Sequence, residues 1–154
     1  MVADRLEDLP PGSTVILRSH GVGKEVYAWL EERGIPYVDA TCPYVKKIHR
    51  IAAEAALQGQ VALIMGDESH PEVQAIRTYC SQENYVFSCG EALEEWVDSA
   101  EHSVKKSYIL LAQTTFNLYE WQKCVKITKK LYTNLRLFDT ICNATWARQR
   151  ETEA

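Results

Sequence analysis

Residues 61–72 read Val61-Ala62-Leu63-Ile64-Met65-Gly66-Asp67-Glu68-Ser69-His70-Pro71-Glu72. The first five form an unbroken apolar run of strand length. That is the pattern of a strand covered on both faces, as in a parallel sheet. Tyr108-Ile109-Leu110-Leu111-Ala112 repeats the pattern. Pro71 follows the first run and opens a helix to Tyr79, because proline is tolerated where an N–H needs no helical partner.

Outward from this stretch, strands and helices alternate. Upstream, Thr14–Leu17 follows a Pro-Pro-Gly turn and reads as a strand. Lys24–Arg33 carries Val26, Trp29 and Leu30 at helical spacing, with Gly34 as C-cap. Tyr37-Val38 is a short strand. Pro43 opens a helix to Gln58 with Val45, Ile48, Ile51, Ala52, Ala55 and Ala56 on one face, ended by Gly59. Downstream, the pattern predicts a strand at Tyr85–Phe87, a helix at Glu91–Val97, a helix at Asn117–Tyr132 that Asn117 can cap, a strand at Leu135–Phe138 and a helix from Asn143 to Ala154. The expected fold class is α/β, a parallel sheet flanked by helices. Trp29, Trp96 and Trp121 are expected in the core, and the paired lysines 46–47, 105–106 and 129–130 on solvated faces.

Composition is consistent with this. The 154 residues carry 17 basic and 21 acidic side chains, a net charge of −4, with 46% hydrophobic residues. A chain of this mass can bury about two thirds of its unfolded surface. The hydrophobicity excludes the disordered class, and the absence of a basic excess argues against nucleic acid as a partner. No apolar run reaches a membrane span, and the acidic start MVADRLEDLPPGS is no secretory signal. Five scattered cysteines make no disulfide framework, so a reducing, cytoplasmic setting is expected.

In open parallel sheets ligands gather beyond the C-terminal strand ends. There the sequence places Ser19-His20-Gly21, Cys42, Gly66 to Glu72, Gln113-Thr114-Thr115 and Cys142. Cys42 and Cys142 each sit at a helix start, where free N–H groups favour a thiolate suited to iron–sulfur or zinc. Buried structural cysteine is the alternative, and it is the expectation for Cys80, Cys89 and Cys124. His20 and His70 adjoin Gly or Pro at strand ends and suit an anion such as phosphate, with a structural or solvated histidine as the alternative. Glu72, two residues from His70, is a possible general acid or base. Gln113, Thr114 and Thr115 can orient it or simply form a turn. His49 and His102 read as solvated surface. The strings 37–43 and 137–143 share one layout: apolar strand, Asp, two residues, Cys, helix start.

Ser19-His20-Gly21, Asp39-Ala40-Thr41-Cys42-Pro43, His70-Pro71-Glu72-Val73, Gln113-Thr114-Thr115 and Cys142 with Arg148-Gln149 occur in this order from about Leu6 to Gln149. Together they resemble the LytB family, the 4-hydroxy-3-methylbut-2-enyl diphosphate reductases. The resemblance implies a three-lobed α/β fold around a 4Fe-4S cluster held by three cysteines, Cys42 and Cys142 matching two of them. It implies that His20 and His70 bind the substrate diphosphate, that Glu72 is the proton donor and that Thr114 orients it. The implied reaction is reductive dehydroxylation to isopentenyl and dimethylallyl diphosphate, in the non-mevalonate pathway, with ferredoxin or flavodoxin as electron donor.

Two family features are missing: a first cysteine in a glycine-flanked turn with a further histidine, and a downstream Ser-x-Asn motif. The expectation is a central piece: residues 1–41 end the first lobe, 42–142 form the middle lobe and 143–154 begin the third. Alone, such a piece is expected to be inactive and free of cluster, and to self-associate through an uncovered apolar face. Two other readings compete. His70-Pro71-Glu72 has the H-x-E form of a zinc hydrolase or deaminase, without the Pro-Cys-x-x-Cys that such enzymes need. A non-catalytic α/β interaction domain would leave every motif residue structural.

Overall fold

The computed structural model describes residues 5–99, 105–129 and 134–151. After a 3-10 turn at Leu6–Asp8 the order is β1 (Val15–Leu17), α1 (Lys24–Glu32), β2 (Tyr37–Asp39), α2 (Pro43–Leu57), β3 (Val61–Met65), α3 (Pro71–Tyr79), β4 (Asn84–Phe87), α4 (Gly90–Asp98), β5 (Tyr108–Ala112), α5 (Leu118–Thr128), β6 (Leu135–Leu137) and α6 (Asn143–Glu151). The fold is α/β with parallel strands throughout. The strands divide into two sheets: β1 and β2 form one, and β4-β3-β5-β6 form the other.

The apolar runs explain the larger sheet. β3 and β5 are its central strands, and all ten of their residues are buried. Side chains alternate between faces. Ala62, Ile64, Ile109 and Leu111 pack with Ile48, Ala52, Val73 and Ile76, placing α2 and α3 on one face. Val61, Leu63, Met65 and Leu110 pack with Leu93, Trp96, Trp121 and Cys124, placing α4 and α5 on the other. A residue on either face of these strands therefore meets a helix, so neither face tolerates a polar position. Each large side chain buried this way contributes about 1.5–3 kcal/mol.

β6 ends at Leu137, and Thr140 takes over its ladder. The Thr140 hydroxyl accepts from the Ala112 N–H at 2.8 Å and donates to the Ala112 carbonyl at 2.6 Å. The Asn117 side chain caps α5 by accepting from the Glu120 N–H at 3.0 Å.

Several expectations need correction. His49 is buried, 6% exposed, rather than solvated. Position 49 lies four residues after Val45 and three before Ala52, on the same helical stripe. Trp29 is half-buried under the Arg33 guanidinium, 4.3 Å from its ring centre, because a two-stranded sheet is too narrow to cover it. Trp96 and Trp121 are in the core, as are Cys80 and Cys124, while Cys89 is half-buried. The helix expected over 117–132 begins at Leu118 and is described as far as Thr128. Residues 130–132 and 152–154, the ends of two expected helices, lie outside the described residues, as does His102. Among the described residues, no helix is long and apolar enough to cross a membrane.

Candidate functional site

β3 connects outward to β4 and β5 connects to β6 on the opposite side, so the C-terminal ends of β3 and β5 are the point where the strand order reverses, the place where open α/β sheets bind ligands. The two loops are sewn together there. The Gln113 N–H donates to the Met65 carbonyl at 2.8 Å, and the Gln113 side-chain oxygen accepts from the Asp67 N–H at 3.2 Å. Gly66 is needed at this crossing, since a Cβ there would lie 2.8 Å from Val73 Cγ2 and 3.0 Å from Gln113 Oε1.

His70 is the N-cap of α3, and its Nδ1 accepts from the Glu72 N–H at 3.1 Å. In the neutral ring this bond places the proton on Nε2, which remains a donor. Glu72, in the first turn of α3, is 1% exposed. Its carboxylate is held at both oxygens by one residue: the Thr114 N–H donates to Oε1 at 2.7 Å and the Thr114 hydroxyl donates to Oε2 at 2.8 Å. The buried acid is thus satisfied by the loop after β5, 42 residues along the chain.

The smaller sheet delivers the remaining groups. The His20 ring meets the His70 ring edge-on, with centroids 5.5 Å apart. The Cys42 N–H donates to the Ser19 carbonyl at 2.9 Å, beside His20. The Cys142 N–H donates to the Thr114 carbonyl at 3.0 Å. A continuous set of contacts therefore runs from Cys42 through Ser19, His20, His70, Glu72 and Thr114 to Cys142. All six predicted site residues lie on this path.

The layout shared by 37–43 and 137–143 is structural as well. Asp39 Oδ1 accepts from the Thr41 N–H at 2.9 Å, and Asp139 Oδ1 from the Ile141 N–H at 3.4 Å. Burial works to raise the Asp39 pKa. The Lys46 ammonium at 2.7 Å and bonds from Thr41 outweigh it and hold the carboxyl down at about 2. Each cysteine then starts a helix, α2 after Cys42 and α6 after Cys142, and both are half-buried free thiols. Cys142 Sγ accepts from the Thr145 N–H at 3.3 Å and lies 3.1 Å from the Thr145 hydroxyl. The sequence reading passed over Thr145, although a Thr three residues past a helix-capping sulfur is placed to meet it. Tyr44 and Lys47 of α2 share a cavity of about 350 Å³ with Asp139, Thr140, Ile141 and Trp146, so the two cysteine-led helices open on common space.

Among the described residues no three His, Cys, Asp or Glu side chains are grouped to hold a metal ion. Cys42 and Cys142 have the donor chemistry of two iron–sulfur ligands, and they do not complete a cluster site by themselves.

The sequence matches the family described as LytB protein over residues 1–154. The chain belongs to the LytB family. It is 34% identical over 151 residues to the 4-hydroxy-3-methylbut-2-enyl diphosphate reductase of Caldanaerobacter subterraneus, covering 98% of this chain and 50% of that protein. With the enzyme of the same description from Solidesulfovibrio magneticus the identity is 37% over 144 residues, covering 93% and 49%. Its fold resembles a solved (E)-4-hydroxy-3-methyl-but-2-enyl diphosphate reductase, the terminal enzyme of the non-mevalonate pathway, with TM-score 0.77 and 30% identity over 97% of this chain and 52% of the other. The reductase structure from Plasmodium falciparum superimposes with TM-score 0.86 at 23% identity over 96% and 46%, a likeness of fold. The LytB chain described here spans about half the length of the curated relatives it matches.

Proposed function

We propose that this chain forms part of an iron–sulfur reductase that removes the allylic hydroxyl of 4-hydroxy-3-methylbut-2-enyl diphosphate. Two electrons and two protons convert the alcohol to isopentenyl or dimethylallyl diphosphate and water. The observation that carries the reading is the buried Glu72 carboxyl, bonded twice by Thr114 and adjoining the His20–His70 pair.

His20 and His70 hold the diphosphate, each offering an N–H to oxygen. The α3 N-terminus beneath His70 adds a positive dipole end. Glu72 supplies the proton that lets the hydroxyl leave as water. When Glu72 is protonated, the Thr114 hydroxyl can accept from it and turn its own hydrogen outward, so Thr114 both orients the acid and relays to substrate. Cys42 and Cys142 would be two of the thiolate ligands of a 4Fe-4S cluster, which would supply the electrons when bound. Ferredoxin or flavodoxin, in a cytoplasmic setting, is the donor. Residues 1–41 end the first lobe, 42–142 are the middle lobe and 143–154 begin the third.

The zinc hydrolase reading has less support. His70 Nδ1 and both Glu72 oxygens are already engaged, and the described residues provide no three-ligand group. The test is reductase activity in a protein of the relatives' full length carrying this segment. Glu72→Gln and Cys42→Ser should each lower turnover by about 100-fold or more. Full activity in both would leave the non-catalytic interaction domain as the better account.

A further inference from the structure

His49, in the middle of α2, is a buried histidine that the proposed reaction does not use. It is 6% exposed, and its Nε2 has no hydrogen-bond partner. One face of the ring stacks on Tyr79 at the end of α3, with centroids 4.2 Å apart and 17° between planes. The Tyr79 hydroxyl in turn donates to the Val22 carbonyl at 3.2 Å.

The ring also meets Gly21. A Cβ on Gly21 would lie 2.7 Å from His49 Cε1 and 3.1 Å from Val45 Cγ1, and the Gly21 φ of +79° is one that L side chains rarely adopt. His49 is wedged between Gly21 and Tyr79, so it cannot swing aside. The two residues that follow His20 are therefore fixed from two helices, Gly21 by ring contact from α2 and Val22 by a hydrogen bond from α3. α3 is also the helix that begins at His70.

A larger apolar side chain would fill the helix stripe without leaving a buried nitrogen unpartnered. It would also push on Gly21. The small flat imidazole fits between the Tyr79 ring and a glycine turn.

We infer that His49 and Tyr79 are positioning residues that hold the His20 turn over His70, so that two imidazoles from separate sheets present one site for a diphosphate. The inference rests on the reading of His20 and His70 as the anion-binding pair, and its test separates the two.

The test uses the chain itself with inorganic pyrophosphate as probe. Three quantities are read: the nuclear Overhauser effect between the His20 and His70 rings without ligand, the pyrophosphate Kd, and the unfolding midpoint. Tyr79→Phe keeps the stack on His49 and loses only the bond to Val22. It should weaken the ring–ring effect and raise Kd about 3- to 10-fold, as expected for one lost hydrogen bond. His49→Ala should abolish the ring–ring effect and raise Kd by more than about 10-fold.

A purely structural role would lower the midpoint and leave the ring–ring effect and Kd of the folded protein at wild-type values; that result overturns the inference. Failure of His49→Ala to fold leaves Tyr79→Phe to decide. A wild-type chain that shows the ring–ring effect and binds no pyrophosphate refutes the anion reading, while loss of that effect in the variants still upholds the positioning role.

Discussion

Thr114→Val isolates one bond at the centre of the site. Valine keeps the branched shape, so no cavity forms, and the backbone N–H still reaches Glu72 Oε1. What is lost is the hydroxyl 2.8 Å from Glu72 Oε2. Glu72 is 1% exposed, so water cannot replace the donor. A hydrogen bond to a charged group contributes about 1.5–3 kcal/mol. For a domain of this size that corresponds to a fall in Tm of about 3–12 °C. Urea unfolding should show a lower midpoint at unchanged slope. Glu72→Gln provides the contrast. Its amide oxygen can still accept from the Thr114 N–H, and its NH2 can donate to the Thr114 hydroxyl, so stability should hold within about 1 kcal/mol. Glutamine has no proton to transfer, so turnover in a full-length protein should fall about 10²–10⁴-fold. A Thr114→Val loss below about 0.5 kcal/mol would refute the idea that the hydroxyl secures a buried acid.

Other outcomes follow from the same geometry. Burial pushes the His49 pKa down to about 4, against a favourable pull from Asp39. The unfolded chain takes up that proton first, so stability is full above pH 6.5 and is lost as pH falls from 6.5 through 4, by on the order of 3 kcal/mol; His49→Phe should flatten this limb of a pH–stability curve. The Gln149 side chain accepts from the Leu118 N–H at 2.8 Å and donates to the Phe116 carbonyl at 3.2 Å, clipping α6 to the start of α5. Gln149→Ala should cost about 1 kcal/mol and speed hydrogen exchange in α6, and unchanged exchange would deny the clip. Gly66→Ala should destabilise by about 1–3 kcal/mol, because Val73 and Gln113 leave no room for a methyl; an unfolding midpoint at the wild-type value would contradict this. Ile16 and Val38 are paired in register and are 73% and 57% exposed, so concentration-dependent association through this face is expected in sedimentation. A single monomeric species at every concentration would count against it.

The larger sheet was legible because five consecutive apolar residues admit one explanation when helices flank both faces. The separate sheet of β1 and β2 was not, because three-residue strands carry too little pattern to name their partners. Cys42 and Cys142 were placed correctly at helix starts, since Pro43 follows one and the polar Asn143 the other. His49 was misplaced although its signal existed: Val45, Ile48 and Ala52 surround position 49 on the helix wheel. A lone polar residue on an apolar stripe reads as solvated until the stripe is known to be covered. The pairing of Glu72 with Thr114 depends on β3 and β5 being neighbours. That adjacency is a fact of strand order, and local sequence does not encode it.

The central claim is that an imidazole from the smaller sheet joins an imidazole and an acid from the larger one on a single ligand. A crystal structure grown with inorganic pyrophosphate tests it most directly. The account predicts the anion between His20 and His70, within hydrogen-bond reach of His70 Nε2 and beside the Glu72–Thr114 pair. Pyrophosphate bound elsewhere, with the two rings turned apart, would contradict it.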